Sequence, residues 1–102
     1  MERYFLCLII FLKMKKSLRV RINGQVWTIS YGIPGKTNGI IDDGCCDYEK
    51  RKITINRNSE SSLLNVLSHE VLHARLPDFS EEAIEELGSL IDDIYVKMQQ
   101  VS

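Results

Sequence analysis

Two histidines occur in this chain of 102 residues, and they stand four residues apart in Leu67-Ser68-His69-Glu70-Val71-Leu72-His73. On a helix, residues at that spacing share a face, so His69 and His73 can aim both imidazoles at one ion. Imidazole nitrogen is a natural zinc ligand at about 2.0–2.1 Å. Glu70 is displaced around the helix from both histidines and can address a water on the metal instead of the metal itself. Zinc brings the pKa of such a water toward about 7, within reach of a carboxylate base. The pattern H-E-x-x-H therefore predicts zinc-assisted hydrolysis, with His69 and His73 as metal ligands and Glu70 as general base.

The motif needs a helix to carry it, and the flanking residues supply one. Leu63, Leu64, Val66, Leu67, Val71 and Leu72 recur at helical spacing, which predicts a helix over about residues 60–76, capped near Asn58-Ser59 and stopped by Pro77. Ser80 reads as the cap of a second helix, with Glu81 and Glu82 in its first turn, where acidic groups suit the helix dipole. Its apolar stripe runs through Ala83, Ile84, Leu87, Leu90, Ile91, Ile94 and Met98.

Ahead of the helices the period changes to two. Residues 18–22 and 25–31 alternate around Asn23-Gly24, a strong hairpin signal. Residues 32–39 hold three Gly and one Pro and read as a loop. A second hairpin is expected from about 40 to 57, with residues 40–47 as a weak edge strand and 52–57 as a regular one. The expected fold class is α+β: an antiparallel sheet of three to four strands followed by two helices that carry the metal site.

A catalytic zinc takes three protein ligands, and there is no third histidine. The remaining ligand must be a carboxylate or a thiolate, from Asp78, Glu81, Glu82, Glu85, Glu86 or the Cys45/Cys46 pair. The short turn at 77–79 makes the helices a hairpin, bringing the start of the second near the end of the first. Glu82 and Glu86 share one face, and one of them can ligate zinc while the other orients a histidine. Glu81 and Glu85 fall on the neighbouring face, where solvation is the simpler expectation.

At this point the sequence resembles the zincin metallopeptidases, in particular the gluzincin branch. There H-E-x-x-H is followed by a glutamate from a second helix, commonly succeeded by Ala and by an acidic residue four positions on. Glu82-Ala83-Ile84-Glu85-Glu86 is similar to that pattern. The resemblance implies Glu82 as third metal ligand and Glu86 as the group behind a histidine. The stretch from Gly44-Cys45-Cys46-Asp47 through Ile53-Thr54-Ile55 to Leu87 also looks like small zincin-like proteins of phages and prophages. The resemblance covers about residues 18–98, and its sharp parts are H-E-x-x-H and the Glu-Ala step. Two features depart from the family. Only eight residues separate His73 from Glu82, and the second subdomain that supplies oxyanion-stabilising groups is missing. Tyr31, Tyr48, Arg75 and Tyr95 are the local candidates for that role.

Size and composition bound the rest. The chain is 44% hydrophobic and 26% charged with net charge −1, which excludes disordered, collagen-like and low-complexity classes. Residues 1–57 carry a net +6 and residues 58–102 a net −7, as expected of a basic sheet beside acidic helices. A basic strand face (Lys15, Lys16, Arg19, Arg21, Lys50, Arg51, Lys52) is the one feature directed at nucleic acid. Three cysteines, two of them adjacent, make no disulfide framework, so a reducing, cytoplasmic setting is expected. The apolar run at residues 4–12 is too short to span a membrane. Its basic residues follow it instead of leading it, unlike a signal peptide. Residues 1–13 are expected to be an N-terminal extension, with Met14 a second candidate start, and residues 14–102 one domain. The expected function is a zinc metallopeptidase acting on a peptide or protein, with no membrane partner. The alternative is a zincin-like metal-binding module with little or no turnover that acts in protein interaction.

Overall fold

The computed structural model describes residues 17–100. The N-terminal extension and Met14 lie outside the described residues, as do Lys15 and Lys16 of the basic face. Strands β1 (Ser17–Ile22), β2 (Gln25–Gly32), β3 (Lys36–Thr37), β4 (Ile40–Ile41), β5 (Gly44–Asp47) and β6 (Lys52–Asn56) precede helices α1 (Leu63–Arg75) and α2 (Glu81–Gln99). The α+β expectation holds.

The main sheet has the order β1-β2-β6-β5. β1–β2 and β5–β6 are antiparallel hairpins, whereas β2 and β6 pair in parallel, Ile29 opposite Ile53 and Tyr31 opposite Ile55. The sheet is thus mostly, not wholly, antiparallel. Residues 33–43 carry the chain past the position of β6 to the far edge, and β6 then folds back into the gap. Inside that crossing, Asn38 and Gly39 have φ of 53° and 79° and close the small β3–β4 hairpin. This is a second Asn-Gly turn of the kind that joins β1 to β2. The expected edge strand over 40–47 is therefore split. Ile40–Ile41 belongs to the small hairpin, and Gly44–Asp47 alone forms the sheet edge.

Alternation places Arg19, Arg21 and Lys52 on the open outer face, and Trp27, Ile53 and Ile55 on the inner one. There Ile22, Trp27, Ile53, Ile55, Val66 and Ala74 form the buried core, with Leu63, Leu67 and Val71 of α1 packed against it. Ile53 is 0% exposed, and burying such a side chain contributes about 1.5–3 kcal/mol. α1 lies on β5 and β6, and α2 packs on α1 through Ile84 and Gly88. Among the described residues, no helix is long and apolar enough to cross a membrane.

Candidate metal centre

α1 starts at Leu63, where its apolar periodicity begins, and later than a cap at Asn58-Ser59 would place it. Ser62 is the N-cap, accepting the Asn65 amide at 3.0 Å, while Ser59 and Ser61 instead donate to the Asp43 carboxylate at 2.6 and 3.3 Å. From Ser62 the sheet-facing row runs through Val66, Glu70 and Ala74, all buried, at steps of one turn. Glu70 is thus a carboxylate set into the apolar stripe. It is only 7% exposed.

What makes room for it is Gly44 at the start of β5. A Cβ there would stand 2.7 Å from Glu70 Oε2, 2.9 Å from its Cγ and 2.9 Å from Val66 Cγ1. Burial raises the pKa of Glu70. The nearby Glu81 carboxylate adds to the rise, and His69 works against it.

His69 and His73 sit on the flank of α1 that faces α2. Their Nε2 atoms are 3.1 Å apart, and the carboxylate of Glu81 spans them, Oε1 at 2.8 Å from His69 Nε2 and Oε2 at 2.7 Å from His73 Nε2. The carboxylate that meets the rings is therefore that of Glu81, one residue before the expected Glu82. Glu81, Glu82 and Glu86 are all exposed, and among the described residues no hydrogen bond or ion pair joins Glu82 or Glu86 to a histidine.

The reason is angular. At about 100° per residue, Glu81 lies about 60° around α2 from the buried Ile84, whereas Glu82 and Glu86 lie about 160° from it, on the opposite side. Glu85 comes to the edge of the same cleft as Glu81, and Asp78 is exposed in the turn between the helices. The signal was available, since the apolar stripe of α2 fixes which glutamates flank it.

Asn23, expected only as a turn residue, and Tyr48, expected only as an oxyanion candidate, hold the C-terminal end of α1. The Tyr48 hydroxyl donates to the His73 carbonyl at 2.9 Å. The Asn23 amide nitrogen donates to the carbonyls of Ala74 and Arg75 at 3.3 and 3.0 Å. The last carbonyls of a helix have no partners within it, and here three of them are met by the two hairpin turns of the sheet. Tyr48 is also packed edge-on against Trp27, ring centroids 6.1 Å apart. Of the four expected oxyanion candidates, it alone is among the residues lining the cleft at the histidines.

That cleft encloses about 280 Å³ between β5 and the two helices, and Gly44, Cys45, Cys46 and Tyr48 form its sheet side. Both thiols are free. Burial and the neighbouring Glu70 charge push Cys46 up to about 12, and Cys45 is raised for the same two reasons. In the absence of a metal both are held in the thiol form.

His69, Glu70 and His73 form a group that could hold a metal ion. The donor set fits one. Two imidazole nitrogens bound tetrahedrally at about 2.0–2.1 Å would be about 3.3 Å apart, close to the 3.1 Å found. A carboxylate stands against both of them. No family model matches the chain, and neither a curated protein nor a solved structure is found similar to it.

Proposed function

We propose that the chain is a metal-dependent peptidase in which His69, His73 and Glu81 hold zinc and Glu70 is the general base. The observation that carries this reading is the buried Glu70 carboxylate beside two imidazoles that converge on one carboxylate. Zinc, when bound, supplies Lewis-acid polarisation of a water and of a peptide carbonyl. The protein's own groups do the rest. Glu70 takes the proton of the attacking water and passes it to the leaving amine. Burial, which raises its pKa, favours the protonated form that it must hand on. Tyr48 and Asn23 hold the end of α1, so that His73 keeps its place opposite His69. The outer edge of β5 lines the cleft, and an extended peptide can add to it as a further strand.

A second reading, a metal-binding module without turnover, is favoured by one observation. The Tyr48 proton is donated to a helix carbonyl, and no Lys or Arg lines the cleft among the described residues, so the oxyanion has no evident donor. Metal analysis of the full chain purified without chelator, beside Glu70→Gln, separates the two. A peptidase retains zinc in Glu70→Gln and loses most peptide hydrolysis. Equal hydrolysis by both proteins, or none by the zinc-loaded wild type, leaves the module as the function.

A further inference from the structure

The metal centre uses one flank of α2 and leaves the other without a task. At about 100° per residue, Leu87, Leu90, Ile91, Ile94 and Met98 lie within about 100° of one another. Their stripe is centred about 60° around α2 from the buried Ile84, on the side away from Glu81. Leu87 is half-buried, and the other four are between 40% and 81% exposed. The cause is a difference in length. α2 has 19 residues and α1 has 13. The two run antiparallel, and Ser62 at the start of α1 donates to the Asp92 carboxylate at 2.7 Å. Residues 93–99 therefore continue past the end of the helix on which α2 packs. A single exposed leucine needs no explanation, but a contiguous apolar stripe on a small protein marks an interface.

The charges beside the stripe indicate what covers it. Glu86 and Lys97 stand on the same edge of it, about 20° apart around the helix, with Leu90 and Ile94 between them along the axis. Among the described residues Glu86 has no ion pair, and Lys97 meets only Asp93, one turn back, at 3.0 Å. An edge that is acidic at one end and basic at the other is complementary to itself turned end for end. A parallel pairing would instead set Glu86 against Glu86 and Lys97 against Lys97.

We infer that the occupant is a second copy of this chain, α2 against α2 in antiparallel orientation about a twofold axis near Ile91 and Asp92. Leu90 of each copy then lies nearly level with Ile94 of the other, and Glu86 of each with Lys97 of the other. Positions 87, 90 and 94 recur at steps of four and three, the spacing at which paired helices interlock at about 20°. Twofold symmetry makes every contact twice, so the pair contains two Glu86–Lys97 contacts. One helix face per copy is at the small end of specific interfaces, so the dimer is expected to form at about 10–100 μM. The cleft at the histidines stays open, because Glu81 is on the opposite flank.

The test is sedimentation of the full chain from about 1 to 500 μM, beside Ile94→Glu, Glu86→Lys and Lys97→Glu, all at exposed positions. The wild type should pass from monomer to dimer over that range. Ile94→Glu should weaken the dimer by more than about tenfold. Glu86→Lys and Lys97→Glu should each weaken it by roughly threefold to tenfold, since each sets like charges together twice. An equal mixture of those two variants should regain the wild-type affinity, because every mixed pair again joins Lys to Glu at both places. That gain should shrink at high salt.

A chain that remains monomeric throughout overturns the inference, and another occupant then covers the stripe. Lower thermal stability of monomeric Ile94→Glu would assign that place to the apolar run at residues 4–12, and unchanged stability to a different protein. A dimer indifferent to Ile94→Glu also overturns it, because the copies then meet through another surface. Charge variants that mixing does not restore overturn it too, because the helices then do not pair end for end.

Discussion

Gly44 and Glu70 touch in a way that admits no side chain between them: a Cβ on Gly44 would lie 2.7 Å from Glu70 Oε2. The neighbours that would have to give are a buried carboxylate and Val66 of the core. Gly44→Ala is therefore expected to cost about 1–3 kcal/mol and to turn Glu70 out of position. Thermal melting and peptide hydrolysis check it, with hydrolysis lost out of proportion to the fraction unfolded. A variant as stable and active as wild type would show that α1 can lift off β5 at no cost.

The burial of Glu70 has a sign that can be measured. Its folded pKa is raised above the ordinary value of 4.5, so protonation favours the folded state, and that benefit is lost as pH rises through the folded pKa. Metal-free Glu70→Gln should therefore be more stable than metal-free wild type at neutral pH, by on the order of 1 kcal/mol. The gap should close as pH falls to about 4.5. Melting curves of both proteins across that range decide it, and a gap that widens toward acid refutes the assignment.

Glu81 and Glu82 differ by one position and should differ sharply in effect. Glu81→Gln is expected to weaken zinc binding by more than the roughly 10–100-fold typical of groups that only support a ligand. Glu82→Ala should change it little, since that residue lies about 160° around α2 from the buried Ile84 and away from the histidines. Competition against a zinc-binding dye measures both, and a large loss in Glu82→Ala alone would restore it as the third ligand.

Tyr48→Phe keeps the ring against Trp27 and removes the bond to the His73 carbonyl. About 1 kcal/mol of stability should go with it. Zinc affinity should drop by less than for Glu81→Gln. A variant with unchanged stability but strongly reduced turnover would instead assign Tyr48 to the reacting carbonyl.

With its thiol at about 12, Cys46 should resist alkylation in the native protein at mildly alkaline pH and react only after denaturation, because the thiolate is the reactive form. Mass spectrometry of peptides from iodoacetamide-treated protein reads this directly. Rapid native labelling of Cys46 would mean that β5 opens toward solvent.

The sequence made the two halves of the fold legible because each has a clean period: alternation through β1, β2 and β6, and helical spacing through α1 and α2. It also made His69, Glu70 and His73 legible as a group, since a four-residue step on a helix leaves little freedom. The parallel pairing of β2 with β6 was not legible, because strand order depends on where residues 33–43 take the chain, and nothing local records that path. Which glutamate meets the imidazoles was not legible for a different reason: both Glu81 and Glu82 suit a helix N-terminus, and the expectation of Glu82 rested on a likeness to a family pattern, whereas the contacts to both rings come from Glu81. The ties of Asn23 and Tyr48 to the end of α1 were not legible, because a turn residue that also serves a distant helix leaves no local mark.

Asn23 has a backbone task and a side-chain task at once. Its φ of 52° shapes the β1–β2 turn, while its amide closes the last carbonyls of α1, some fifty residues away in the chain. The two histidines therefore cannot be released by fraying from the nearer helix end without also breaking that tie to the first hairpin. Amide protons in the last turn of α1 should accordingly exchange with solvent in step with those of β1 and β2 and not with the C-terminal turns of α2. A site assembled from one short helix then shares the lifetime of the sheet beneath it.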